Sequence, residues 1–289
     1  MAARVTDDER YLRACMRYTD QVYRMFIGAR LINKVFARVF QSHAMGRLVI
    51  AHFEAEARTD ARRPTVAWLQ AQTGCGRTLA AFIGIAKVFG LVVSAANPVD
   101  RREKYLIPGR PVVEGLRDWL AHHFVFAEAI GILPTGSADR LHRDADYFER
   151  FVRSSLPVID GIAGNRRRFG RWQWFEDREC GLRIAYAYLN AHCAACLRVS
   201  PCVDAPIWFE ISGERVAQSL GVSKSHVRNV INGAEDRGIL DHDLRRRRAR
   251  FSVDFLAEAR GSLHALLRSM ADAHQRAERL PRRTRGPRG

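Results

Sequence analysis

What this chain lacks narrows the reading first. No run of its 289 residues is apolar for long enough to span a bilayer. Residues 1–10, MAARVTDDER, hold no apolar centre of the kind a secretory leader needs. The expectation is a soluble cytoplasmic protein whose six cysteines stay reduced. No nucleophile elbow, phosphate loop or HExxH motif occurs, so the sequence does not read as an enzyme and calls for no cofactor. Acidic residues are also short: 31 Asp and Glu stand against 47 Lys and Arg, a formal net charge of +16. That sign favours a polyanionic partner, because each phosphate met by a cation releases counterions. An anionic membrane surface or ribosomal RNA would answer the same imbalance. At roughly 100–150 residues per domain, the length allows two domains.

The most informative stretch is 65–107. Residues 65–72 read as a short helix opened by Pro64, and Thr73-Gly74-Cys75-Gly76 as a tight turn. From Arg77 to Phe89, the apolar residues Leu79, Phe82, Ile83, Ala86 and Phe89 recur at helical spacing, and Gly90 can end the helix in a left-handed conformation. Two strand candidates follow, 91–93 and 104–107, joined by Asn97-Pro98-Val99-Asp100-Arg101-Arg102. Helix, turn, helix and basic-tipped hairpin make a winged helix. Its second helix suits the major groove, and its hairpin suits phosphates or the minor groove.

Gly90-Leu91-Val92 together with Asn97-Pro98-Val99-Asp100-Arg101-Arg102-Glu103-Lys104-Tyr105-Leu106 resembles the wing of MarR-type bacterial transcription regulators. The resemblance runs over roughly the first 130 residues and continues through Pro108-Gly109-Arg110-Pro111 into an apolar-periodic helix. It implies DNA binding, with N-terminal helices in a dimer interface. One departure is local: the turn and second helix, Gly74 to Gly90, are about one residue shorter than the usual form, and Arg77, Thr78, Ala80, Ala81, Gly84 and Lys87 offer few base-reading groups.

Taken in order, 7–40 reads as one long or broken helix, 45–57 as a second, and 112–132 as a third. Residues 134–139, PTGSAD, are the best linker. The expected domains are therefore 1–133, with a winged helix at about 64–107, and 140–280, with another at about 207–253; 281–289 is a basic, disordered tail. In the second half, 146–155 and 176–198 read as helices and 156–170 as irregular. Arg166-Arg167-Arg168 beside Trp172 and Trp174 is either a solvated loop with one anchoring Trp or a nucleic-acid contact. The helix–turn–helix pattern then recurs at 212–240. Leu79, Phe82, Ile83, Ala86, Gly90 and Leu91 map onto Val227, Val230, Ile231, Ala234, Gly238 and Ile239, each pair 148 positions apart. Here Ser223 is a natural N-cap, and Leu220-Gly221-Val222-Ser223 before a basic helix is a strong helix–turn–helix pattern, in MarR-like proteins and beyond. The second hairpin, 241–253, places Arg245, Arg246, Arg247, Arg248 and Arg250 at its tip, and 255–273 closes the chain as a helix.

The expected fold is mostly α, with two winged helix-turn-helix units in tandem between long flanking helices and related by a pseudo-twofold. The expected function is sequence-specific binding of double-stranded DNA by a nucleoid-associated bacterial transcription regulator. One chain would act as a monomeric pseudo-dimer, a homodimer being the other arrangement; any small-molecule effector is unknown. Lys224, Ser225, His226, Arg228, Asn229 and Asn232 would face the groove, where Arg and Asn read guanine and adenine edges. Arg77, Thr78, Lys87, Arg101, Arg102 and Lys104 would serve the first unit, and the five arginines of the second hairpin would grip phosphate or a narrow minor groove. A plasmid replication initiator, also built from two winged helices, is the alternative within the same class. From another class comes a metal- or redox-switched sensor using Cys193, Cys196 and Cys202, with Cys180 and His192 nearby. Against it, Cys193 and Cys196 lie one turn apart among Ala and Leu, where small buried cysteines are commoner. No neighbouring pattern in the sequence marks Cys15 as a reactive thiol. His122, His123 and His142 read as surface or interface residues.

Overall fold

The computed structural model describes residues 6–58, 60–97, 100, 102–165 and 168–282. Arg101, Arg166, Arg167 and tail residues 283–289, which carry parts of the sequence reading, lie outside them. The described residues are mostly helical, with two small sheets. Helix α1 (Asp7–Arg24) starts where the Thr6 hydroxyl accepts from the Glu9 N–H at 3.1 Å, and Asp7, Asp8 and Glu9 complement the dipole at its first turn. Gly28, at φ +72°, breaks the 7–40 segment, and α2 (Arg30–Val35) and α3 (Val39–Ala57) follow. Then come α4 (Val66–Thr73), α5 (Arg77–Val88), β1 (Val92–Ala96), β2 (Lys104–Pro108) and α6 (Arg110–Ala129). The next elements are α7 (Ser137–Arg143), α8 (Ala145–Arg153), α9 (Leu156–Asn165), α10 (Gly170–Glu176) and α11 (Gly181–Val199). The last are β3 (Phe209–Glu210), α12 (Gly213–Leu220), α13 (Lys224–Glu235), β4 (Leu240–Asp243), β5 (Arg248–Phe251) and α14 (Val253–Arg279).

These elements form two compact units, each assembled from three separate stretches of the chain. One comprises Met1–Arg38, His122–Thr135 and Gly164–Leu267; the other comprises Val39–Ala121, Gly136–Ala163 and Arg268–Gly289. The chain does cross between units at 135/136, but also at 38/39, 121/122, 163/164 and 267/268. The physical reason begins with α1. Its buried stripe of Leu12, Cys15, Tyr18 and Val22 packs along α11, not against the segment that follows it in sequence. Asn190 Nδ2 donates to the Met16 carbonyl at 2.7 Å, and the Tyr18 hydroxyl lies 2.8 Å from His123 Nε2 and 3.3 Å from the Tyr186 hydroxyl. His123 is therefore a buried core residue, contrary to the surface or interface position expected for it. The same unit centres on Phe209, Phe251 and Phe255, with ring centroids 5.3 Å apart for Phe209–Phe251 and 4.6 Å for Phe251–Phe255. Truncating any one of these fully buried rings to Ala costs about 3–5 kcal/mol.

In the other unit, Leu69, Leu79, Phe82, Ile83 and Ala86 fill the core. Phe53 meets Phe148 at 6.0 Å, and the Arg117 guanidinium lies 4.3 Å from the Phe148 ring centre. Two sequence expectations give way here. The segment 156–170, expected to be irregular, begins with the ten-residue helix α9. Pro157 sits in its first turn, where the backbone N–H groups have no intrahelical partner to lose. Ile159 packs so closely on Gly46 that a Cβ there would stand 2.9 Å from its Cδ1. Tertiary contact of this kind outweighs the roughly 1 kcal/mol helix cost of a glycine such as Gly161 or Gly164. The linker likewise shrinks to the residues around Gly136, at φ +89°, because α7 begins at Ser137.

Candidate nucleic-acid interface

The site is built on 212–251. The Ser212 hydroxyl caps α12 by accepting from the Arg215 N–H at 3.3 Å. Gly221, at φ +68°, ends that helix, and the Ser223 hydroxyl accepts from the His226 N–H at 3.0 Å to start α13. Val227, Val230, Ile231 and Ala234 bury one face of α13. On the opposite face Lys224, Ser225, Arg228, Asn229 and Asn232 are exposed. Arg228, Asn229 and Asn232 have no protein partner among the described residues, whereas Lys224 pairs with Glu214 and the Ser225 hydroxyl lies 2.9 Å from that of Ser223. His226 turns aside: its Nε2–H donates to the Glu179 carbonyl at 2.8 Å, so it braces the helix and does not face outward with the others.

Gly238, at φ +62°, ends the helix region, and Ile239 N–H reaches back to the Ala234 carbonyl at 3.0 Å. The sheet order is β3-β5-β4, with β5 antiparallel to both neighbours. Strand β3, which the sequence reading lacks, is only two residues long; Phe209 pairs with Ala249 and Glu210 with Arg248. The hairpin tip is 244–247. Arg245, Arg246 and Arg247 are exposed there, beside a Leu244 that is 61% exposed. The Asp243 carboxylate organises the tip by accepting from the Arg246 backbone N–H at 3.0 Å, and this bond first, then the nearby Arg248 and Arg246 guanidiniums, holds its pKa below the usual carboxylate range. Arg247 takes φ +51°, and its carbonyl accepts from the Ile211 N–H at 2.9 Å. Arg248 and Arg250 are not tip residues. They bond Asp243 at 3.3 Å and Asp241 at 2.6 Å, and lie 4.5 and 5.0 Å from the Trp208 ring centre.

The segment 65–109 has the same local construction. The Thr65 hydroxyl caps α4 by accepting from the Trp68 N–H at 3.1 Å, and Gly74, at φ +65°, ends it. Leu79, Phe82, Ile83 and Ala86 are buried in α5, at the positions matching the buried face of α13. Leu91 N–H bonds the Ala86 carbonyl at 2.9 Å, as Ile239 does that of Ala234. Leu106 N–H bonds the Pro64 carbonyl at 2.8 Å, so the residues before α4 join β2 much as β3 joins β5. The turn is one residue tighter: five positions separate Gly74 from Leu79, and six separate Gly221 from Val227. The outward faces differ in kind. Arg77 and Thr78 are exposed at the start of α5 and Lys87 is half-buried, but the rest of the face presents Ala81, Gly84, Ile85 and Val88, the last 80% exposed. At the hairpin tip Arg102 and Lys104 are exposed, and the Asp100 carboxylate accepts from the Arg102 backbone N–H at 2.9 Å.

Cys15, Cys180, Cys193 and Cys196 are buried free thiols, and Cys202 is exposed. Among the described residues no group of three or more His, Cys, Asp or Glu has the geometry to hold a metal ion. A hydrogen bond to Cys15, then burial, pushes the Cys193 thiol up; burial alone leads in taking Cys196 up to about 11 and His192 down to about 4. The two thiols are thereby held protonated, which opposes thiolate ligation of a metal and thiolate chemistry. His142 Nε2 lies 3.9 Å from Asp118 on the surface. Among the described residues no helix is long and apolar enough to cross a membrane. Comparison with the models of known protein families, with curated proteins and with solved structures returns no match to this chain.

Proposed function

We propose that the chain binds double-stranded DNA in a sequence-specific manner, as a bacterial transcription regulator with two MarR-like winged helices, 64–107 and 207–253. The observation that carries this reading is the outward face of α13. Arg228, Asn229 and Asn232 stand exposed, with no partner among the described residues, on a helix whose other side is locked into the core. Arg and Asn are the side chains that address guanine and adenine edges in the major groove. The hairpin that follows supplies Arg245, Arg246 and Arg247, suited to phosphates or the minor groove, and the net charge of +16 supplies the long-range attraction. The apolar face of α5 makes the first winged helix a backbone binder, through Arg77, Thr78, Arg102 and Lys104, and leaves base readout to α13. A chain with two unlike heads fits an asymmetric site occupied by one copy.

Selection of bound duplexes from a random pool, followed by footprinting at titrated stoichiometry, tests this. The expected outcome is one enriched, non-palindromic motif that one chain protects. A pool that never converges refutes sequence-specific reading, and two chains on one palindrome refute the single-copy arrangement.

A further inference from the structure

Trp174 of α10 lies against α13 at Gly233, where a Cβ would stand 2.7 Å from the indole Cζ2. Its Nε1 is buried without a hydrogen-bond partner among the described residues, so stacking holds the ring in place. Two arginines do that stacking. The guanidinium carbon of Arg178 lies 3.5 Å from the ring centre and that of Arg237 3.9 Å. Planar groups in van der Waals contact cannot both come so near one centre from the same side, so they occupy the two faces of the indole. Arg237 is held further by donating to the Gly233 carbonyl at 2.9 Å.

Arg248 and Arg250 also stack on a tryptophan, and each is neutralised by an aspartate. Arg171 pairs with Asp254 and Glu258. Arg178 and Arg237 have no carboxylate partner among the described residues, although they are two like charges on one ring. Each stacked guanidinium keeps in-plane N–H donors for an anion, in the fork geometry that phosphate oxygens match. Their place is specific as well. At about 100° per residue, His226 and Gly233 share one flank of α13, beside the face that carries Arg228, Asn229 and Asn232, and Arg237, in the turn after the helix, reaches back to that flank at Gly233. The bond from His226 to Glu179 ties the turn after α10 to that flank at the other end.

We propose that the Arg178–Trp174–Arg237 stack is a phosphate clamp that grips the DNA backbone beside α13. The inference rests on the DNA-binding reading above and adds a contact to it. The test compares wild type with R178Q/R237Q for affinity across a salt series, on the selected duplex and on a scrambled one. The expected result is weaker binding to both, an unchanged ratio between them, and a log–log salt slope shallower by about 1.8, at about 0.9 per lost phosphate contact. Methylphosphonate interference guards against misfolding of the variant: on wild-type protein, neutralising one or two phosphates outside the Arg245–Arg247 footprint should weaken binding, and R178Q/R237Q should be indifferent to the same change. A folded variant with wild-type slope and wild-type interference pattern overturns the clamp alone. Failure of the wild-type chain to bind either duplex overturns the clamp and the DNA-binding reading together.

Discussion

Replacing Arg228 or Asn229 by Ala separates base reading from general attraction. Both side chains are exposed on α13, and neither has a protein partner among the described residues, so truncation leaves the buried face of Val227, Val230, Ile231 and Ala234 untouched. Stability should move by no more than about 0.5 kcal/mol, the usual range for surface changes away from caps and pairs. DNA discrimination should move much more. A lost bidentate contact to one base pair is worth about 1–3 kcal/mol, or roughly 5- to 150-fold in the ratio of affinities for selected and scrambled duplexes. Asn229 is uncharged, so N229A should also leave the salt slope where it was. Fluorescence anisotropy at several salt concentrations reads discrimination and salt slope, and a thermal melt reads stability. Equal weakening on both duplexes, with a retained melting temperature, would show that α13 does not read bases. His226→Ala supplies the contrast: its ring donates to Glu179, so its loss should cost about 0.5–1.5 kcal/mol of stability and little discrimination.

Three further outcomes follow from the same geometry. Arg245→Gln with Arg246→Gln removes two exposed tip cations and should weaken binding to every sequence while flattening the salt slope by about 1.8; an unchanged slope removes the hairpin from the interface. In native protein, iodoacetamide followed by mass spectrometry should label exposed Cys202 first and leave the buried thiols Cys15, Cys180, Cys193 and Cys196 until unfolding; early labelling of Cys193 or Cys196 would revive the redox-sensor alternative. His192 has its pKa lowered from 6.5 to about 4 by burial, so between those values the unfolded state binds the extra proton. Stability is therefore full above about pH 6.5 and falls towards pH 4 by an amount on the order of 3 kcal/mol, as denaturant melts across that range should record. A His192→Gln protein with the same pH slope as wild type would assign the effect elsewhere.

Much of the candidate interface was legible in the sequence because its determinants are local. Ser223 as a cap, Gly221 and Gly238 as left-handed ends, and Val227, Val230, Ile231 and Ala234 as a buried stripe are all set within one or two helical turns. The same holds for Gly74, Gly90 and the stripe from Leu79 to Ala86. The apolar character of α5 was half visible: its lack of base-reading groups is a matter of composition, but the exposure of Val88 is not. Strand β3 escaped because two residues carry no periodicity, and only pairing with β5 makes them a strand.

By itself, the sequence determined that the chain is mostly helical; it also led to the expectation of a helix–turn–helix–hairpin pattern read twice and, from a net charge of +16, of an anionic partner. Caps, periodicity and composition act at short range, and they survive in a one-dimensional reading. The tertiary structure alone decided which helices share a core. It placed α1 along α11 and buried His123 beside Tyr18. It turned His226 towards Glu179 and drew Arg178 and Arg237, 59 positions apart, onto the two faces of Trp174. Contacts between residues so distant in the chain depend on how whole faces pack, and no local pattern encodes which face meets which.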